Sequence, residues 1–220
     1  MNITYEMIRN NEDVKTYISE ADRSLAALGY TEHSFSHVLV VAKRASDILE
    51  KLGYDEREVE LCKIAAYLHD IGNVVNRVDH SQSGALMAFR ILDKLGMDAK
   101  EIAKIVSAIG NHDEGTGVPV GALAAALILA DKSDVRRSRV RNNDFASFDI
   151  HDRVNYSVVE SDLVLSTEAK QVTLTLKIDT EISSIMDYFE IFLGRMKLCR
   201  SAADKLGLAF SLNVNGQRFI

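Results

Sequence analysis

The chain has no tryptophan, a single proline (Pro119) and two cysteines among its 220 residues. Cys62 and Cys199 stand far apart in helix-like stretches, too few for a disulfide framework and wrongly spaced for a zinc knuckle, so both read as reduced core thiols. No apolar run is long enough to span a bilayer, and the opening MNITYEMIRNNEDVK is polar where a signal region would be charged and then apolar. A soluble, cytoplasmic protein with no membrane partner is expected. The net charge of −6 lacks the lysine and arginine excess by which proteins hold phosphate polymers, which argues against a stable complex with nucleic acid. Small anions are a different matter, because DVRRSRVR at 134–141 is locally basic.

What the chain does have is helical period. Val14, Tyr17, Ile18, Ala21, Leu25 and Leu28 predict a helix over 12–28, ended by Gly29. A second spans 34–52 before Gly53. A third opens at Asp55, with Glu58 placed as in a capping box, and runs to about Asp70, where Gly72 supplies a stop. SQSGALMAFRILDKLG and DAKEIAKIVSAIGNH give two more. After the break at Pro119, VGALAAALILADKSDVRRSRV reads as one long helix, apolar all round in its first half and so central in a bundle.

Past about residue 145 the period changes. RVNYSVVESDLVLS, KQVTLTLKID and AFSLNVN alternate, and SIMDYFEIFLGRMKLCRSAADKLG between them is helical. The expected fold class is mainly α: a helical bundle over 1–147 and a small C-terminal α+β (β-β-α-β) appendage over 148–220. No Gly/Ser- or Pro-rich linker separates the two, so they should pack tightly. Met186, Phe189, Leu193 and Met196 form an apolar helix face expected to cover the sheet. The appendage is expected to support a homodimer and to add no catalytic residue.

The chemistry-bearing residues concentrate in the helical part. His37 lies in the second predicted helix, the adjacent His69 and Asp70 end the third, and His80 precedes the next. His112 ends the fifth, and Asp131 sits in the apolar helix. Imidazoles and carboxylates are the donors that hold hard and borderline metals, and a carboxylate inside an apolar helix needs a cation. Neighbours on a helix point about 100° apart, so His69 and Asp70 can share one ion only near the helix end.

In this order the residues resemble the HD superfamily of metal-dependent phosphohydrolases, named for the adjacent His-Asp pair. HDIGN at 69–73 is similar to the HDIGK of the HD-GYP branch, with Asn73 in place of the lysine. The resemblance covers about 30–141 and leaves out the appendage; the GYP element is absent, GTGVP being only a loose echo. It implies an HD-domain helical bundle with metal held by His37, His69, Asp70 and Asp131. It also implies a second ion on His80 and His112, with Asp70 bridging and with Asp70 and His69 at the catalytic centre. The implied cofactor is one or two divalent transition metals per chain, Mn, Fe, Co or Ni, with Mg a poorer match to an imidazole-rich set.

The implied reaction is cleavage of a phosphoester, in a nucleotide or similar small phosphorylated substrate, by metal-activated hydroxide. The chain has neither a G-x-S-x-G elbow nor a GxxxxGK[ST] loop, in keeping with that route. Arg77, Lys132 and Arg136 are the candidate substrate-binding cations, with Arg137 and Arg139 further along the same predicted helix; salt bridges to the appendage are the equal alternative for these arginines. His33 is expected one turn before His37, as a plain helix-start residue or as a support to the ligands; Glu114 in a glycine-bearing loop, as a solvated acid or a substrate contact; and His151 at a domain contact. Two other functions use the same ligands: a diiron oxygenase, separable by its oxygen requirement, and a nucleotide-binding sensor without turnover.

Overall fold

Short polar residues open most of the helices by accepting an N–H bond from the first turn. In the computed structural model, which describes residues 2–142 and 144–220, Thr4 caps α1 (Tyr5–Arg9) and Asn11 caps α2 (Glu12–Ala27). Helix α3 (Phe35–Lys51) follows without a side-chain cap, and Asp55 caps α4 (Glu56–Leu68). A short 3-10 turn (Ile71–Val74) leads to α5 (His80–Lys94), then α6 (Ala99–Gly110), capped by Asp98, and α7 (Ala122–Lys132). Asp149 caps α8 (Ile150–Ser157). Ser184 and Asp187 cap α9 (Ile185–Lys205) reciprocally.

The expected mainly-α bundle with a β-β-α-β appendage is present, except that residues 153–157 of the first stretch expected to alternate belong to α8, so that the first strand starts only at Val158. Strands β1 (Val158–Ser166) and β2 (Gln171–Ile178) pair antiparallel, α9 crosses over, and β3 (Ala209–Val214) joins β2 in parallel. A two-residue β4 (Gln217–Arg218), not foreseen, adds an antiparallel edge. Alternation decides the buried face: Val172, Leu174, Leu176 and Ile178 of β2 and Phe210, Leu212 and Val214 of β3 are buried. One continuous hydrophobic core runs from Ile3 through the bundle to Val214. No helix among the described residues is long and apolar enough to cross a membrane.

Helix α7 is the bundle's axis. Leu123 to Ala130 are all buried, and the helix packs on α3, α4, α6 and α9. It ends at Lys132, eight residues short of the predicted end, because side chains take the carbonyls that would continue it. Ser133 Oγ donates to Ala130 O, Arg44 donates to Ser133 O, and Arg139 to Asp134 O. Arg136, Arg137 and Arg139 therefore do not extend α7. Arg44 also donates to Ser161 O at 2.6 Å, tying α3 to β1.

Three further expectations are corrected. Helix α1 was not foreseen, since its span is only five residues long; buried Ile3, Tyr5 and Ile8 pin it to the bundle. His33 lies before α3, in a loop, not a helical turn ahead of His37. The face of α9 is rotated: Met186 and Leu193 are 73% and 49% exposed, while Tyr188, Phe192, Met196, Cys199 and Ala203 are buried. The helix has two surfaces to satisfy, α7 on one side and β2 and β3 on the other.

Gly72 proves to be something other than a helix stop. Its φ is not positive; what it provides is closeness, since a Cβ there would lie 2.0 Å from His80 O and 2.4 Å from Gly84 N. That contact sets the start of α5 against the end of α4. Gly72→Ala should therefore lower stability by about 2–3 kcal/mol or more in denaturant unfolding, because backbone on both sides must move. Gly194→Ala, in open space within α9, should instead raise it by roughly 0.5–1 kcal/mol.

Candidate metal centre

Five elements deliver six side chains to one point. His37 comes from the first turns of α3, His69 and Asp70 from the end of α4, and His80 begins α5. His112 lies two residues beyond α6, and Asp131 is the penultimate residue of α7. The four imidazoles and Asp70 are buried. His37 Nε2 is 3.3 Å from Asp131 Oδ1 and 3.6 Å from Asp70 Oδ2. His69 Nε2 is 3.2 Å from that same Asp70 oxygen and 3.7 Å from Asp131 Oδ1. The other oxygen of Asp70 faces the second imidazole pair, 3.4 Å from His80 Nε2 and 3.9 Å from His112 Nε2. Asp70 thus stands between two imidazole pairs with one oxygen toward each.

Every imidazole is oriented from behind. His69 Nδ1 meets Ala66 O at 2.7 Å, His80 Nδ1 meets Arg77 O at 3.0 Å, and His112 Nδ1 meets Ile109 O at 2.6 Å. Each of these carbonyls belongs to the residue three positions earlier; for His69 and His112 it is one a helix end leaves free. His37 Nδ1 meets Asp134 Oδ2 at 2.8 Å. Acceptors on all four Nδ1 atoms keep the protons there and turn four Nε2 lone pairs inward. His80 Nε2 and His112 Nε2 then face each other at 3.2 Å, while His37 Nε2 and His69 Nε2 are buried with no hydrogen-bond partner.

Inward lone pairs beside two carboxylates make a cation-shaped demand, and the donor set fits a divalent transition metal. Three groups of side chains, His37–His69–Asp70, His69–His112–Asp131 and Asp70–His80–His112, each offer ligand atoms within 4.8 Å of one another. Without a metal the site draws in a proton. Burial disfavours a charged His69, but Asp70 and Asp131 outweigh it and raise the imidazole to about 10. Burial would raise both carboxylates; the neighbouring cations, His69 first for Asp70 and Lys132 first for Asp131, hold them well below the usual range.

Two residues that sequence reasoning missed support this geometry. Asp134, fully buried, orients His37 and is in turn paired with Arg136 Nε at 2.7 Å. Its place three residues after Asp131 was the available signal. Asn73, where the HD-GYP pattern has lysine, donates to Asp70 O at 2.9 Å and Asp70 Oδ1 at 3.0 Å.

A cavity of about 480 Å³ opens over the cluster. Of the expected substrate cations, Arg77 and Lys132 line it; Arg136 instead pairs with Asp134 and Glu32. Arg137 turns to Asp179 and Tyr156 of the appendage, the salt-bridge alternative. Arg139 lines the cavity and also donates to Glu32 O. Glu114, expected to be solvated, is drawn in between Lys132 and Arg195; burial would raise its carboxyl, but Arg195 and Lys132 hold it down to about 2. His33, with its ring 5.5 Å from that of His37, and His151, expected at a domain contact, line the cavity as well. The appendage, expected to add no catalytic residue, does line the cavity: α8 and α9 contribute Asp152, Asn155, Phe192 and Arg195.

Residues 34–144, just over half of the chain, match the HD domain, and all six side chains of the cluster lie within that stretch. The chain belongs to the HD domain family. An uncharacterized protein of Methanocaldococcus jannaschii, MJ1020, is 27% identical over 160 residues, covering 62% of this chain and 61% of that protein, so the match spans about three fifths of the relative's length. The crystal structure of a predicted HD superfamily hydrolase from an uncultured Thermotogales bacterium matches with a TM-score of 0.45 at 27% identity, over 56% of this chain and 67% of that one.

Purified protein should carry transition metal by elemental analysis, and His69→Ala or Asp131→Ala should abolish it, whereas His80→Ala or His112→Ala should lower the count by about one ion per chain. Asp131→Ala should destabilise the fold less than the roughly 2–5 kcal/mol of an ordinary large core deletion, because its counter-charge leaves with it. Asp134→Asn, which weakens the hold on His37 Nδ1, should raise the metal dissociation constant about 10–100-fold without unfolding the chain.

Proposed function

We propose that this protein is a metal-dependent hydrolase acting on the phosphoester of a nucleotide or similar small phosphorylated compound. The observation that carries the reading is the inward turn of four Nε2 lone pairs onto Asp70 and Asp131, with every Nδ1 already engaged. His37, His69, Asp70 and Asp131 would hold one ion, and His80 and His112 a second shared with Asp70. When bound, such a pair lowers the pKa of a water molecule and neutralises phosphoryl charge in the transition state. Membership of the HD domain family supports the same reading.

The chain's own groups divide the remaining work. Asn73 fixes the rotation of Asp70, so that each oxygen keeps its imidazole pair. Arg77, 3.3 Å from Asn73 Oδ1 and over the Tyr30 ring, offers a cation on the His80 side of the cavity. Lys132, 2.7 Å from Asp131 Oδ2, offers one on the other. A covalent thiol route has no candidate: Cys62 and Cys199 are buried, and burial pushes the Cys199 thiol up to about 12 and Cys62 higher still.

A panel of small phosphomonoesters and diesters tests the proposal. At least one should be hydrolysed, equally well with and without oxygen. Chelation should abolish turnover, added Mn²⁺ should restore it, and Asp70→Ala should cost orders of magnitude in kcat. Stoichiometric metal with no turnover of any phosphoester would leave the sensor function standing; an oxygen requirement would favour the oxygenase.

A further inference from the structure

Arg195 is the one cavity-lining cation that α9, outside the family match, contributes. Its guanidinium lies 4.1 Å over the Phe192 ring, which presents it at a fixed height on the cavity wall. Nε pairs with Glu114 Oε1 at 2.6 Å. Among the described residues its two Nη groups have no hydrogen-bond partner, so most of a five-donor fork stays unused. Lys132 Nζ reaches the same Glu114 oxygen at 3.6 Å from α7. Two cations from two helices therefore converge on one carboxylate, delivered by the segment between α6 and α7. Beside them, Asp131 presents Oδ2 to Lys132 but Oδ1 to His37 and His69.

We infer that Arg195 and Lys132 together form the seat for a terminal phosphate dianion beside the metal centre, and that Glu114 is a built-in competitor holding the seat closed. The inference rests on the hydrolase reading above and adds a substrate class to it, the phosphomonoester. Asp131 Oδ2 stays on Lys132, but its charge is offset once Oδ1 serves a metal, and Glu114 is then the one uncompensated carboxylate that Lys132 and Arg195 share, two positive charges against one negative. A dianion balances that excess better than the single charge of a diester, and the free Nη pair suits two phosphate oxygens at once. A plain staple between α9 and the bundle would satisfy the guanidinium in full and would have no reason to line the cavity over His112 and Asp131.

The two readings of the Arg195–Glu114 pair predict different signs. For a phosphate seat, calorimetry of the full-length holoprotein with inorganic phosphate should show binding weakened about tenfold or more in Arg195→Met, the loss of one charge-assisted contact. Glu114→Gln should tighten it by a similar factor, and in turnover both changes should appear in KM for monoesters and hardly at all for diesters. If both substitutions weaken phosphate binding, or neither changes it, or the wild type binds none, the pair is a staple and the inference falls. Should Arg195→Met not fold, Glu114→Gln decides alone by its sign. Phosphate binding with the expected signs but no ester turnover would leave the seat standing and remove the hydrolase reading; turnover without those signs would do the reverse.

Discussion

Two carboxylates in the interior, Asp70 and Asp131, face imidazole nitrogens whose lone pairs are turned toward one another. Neither burial nor hydrogen bonding balances that arrangement; only positive charge does. Much of the fold reads as its consequence. Helix α7 runs through the centre and brings Asp131 inward at its last turn, α4 stops at His69, and Gly72 lets α5 approach closely enough for His80 to reach the far oxygen of Asp70. The helix ends that deliver His69 and His112 leave carbonyls free, and those carbonyls orient the rings.

Much of this was legible in the sequence. The apolar helix marked the bundle's axis, because only a central helix can be apolar on all sides, and an aspartate inside it marked the charge demand. The change from helical to alternating period located the appendage. The failures have physical causes. Helix α7 ends at Lys132 where Ser133 Oγ takes Ala130 O and where Arg44 and Arg139 take the carbonyls just beyond, Ser133 O and Asp134 O; the Arg44 contact, from α3, is one that propensity along a single stretch does not register. The face of α9 was misjudged because Met186 and Leu193 are apolar yet exposed, whereas the helix spends its small and aromatic residues on α7 and the sheet. The roles of Asp134 and Asn73 depend on what they touch, and hydrogen bonds between elements leave little trace in local pattern.

The appendage changes from a neighbour to a participant once its contacts are in view. The family match ends at residue 144, but the hydrophobic core does not. Arg44 ties β1 to α3, α9 packs along α7, and residues of α8 and α9 close one side of the cavity. The HD part accounts for the ligand set; the wall that a substrate would meet is shared.

The central claim is that Asp70 joins two cation sites across its two oxygens. Anomalous diffraction from crystals of the native protein, collected on either side of the absorption edge of the metal it carries, tests this directly. The account predicts two peaks, one between His37, His69 and Asp131 and one between His80 and His112, with an oxygen of Asp70 toward each. Crystals of the folded protein, grown with saturating Mn²⁺, that show no peak in the cluster and ordered water against His37 Nε2 and His69 Nε2 would contradict it.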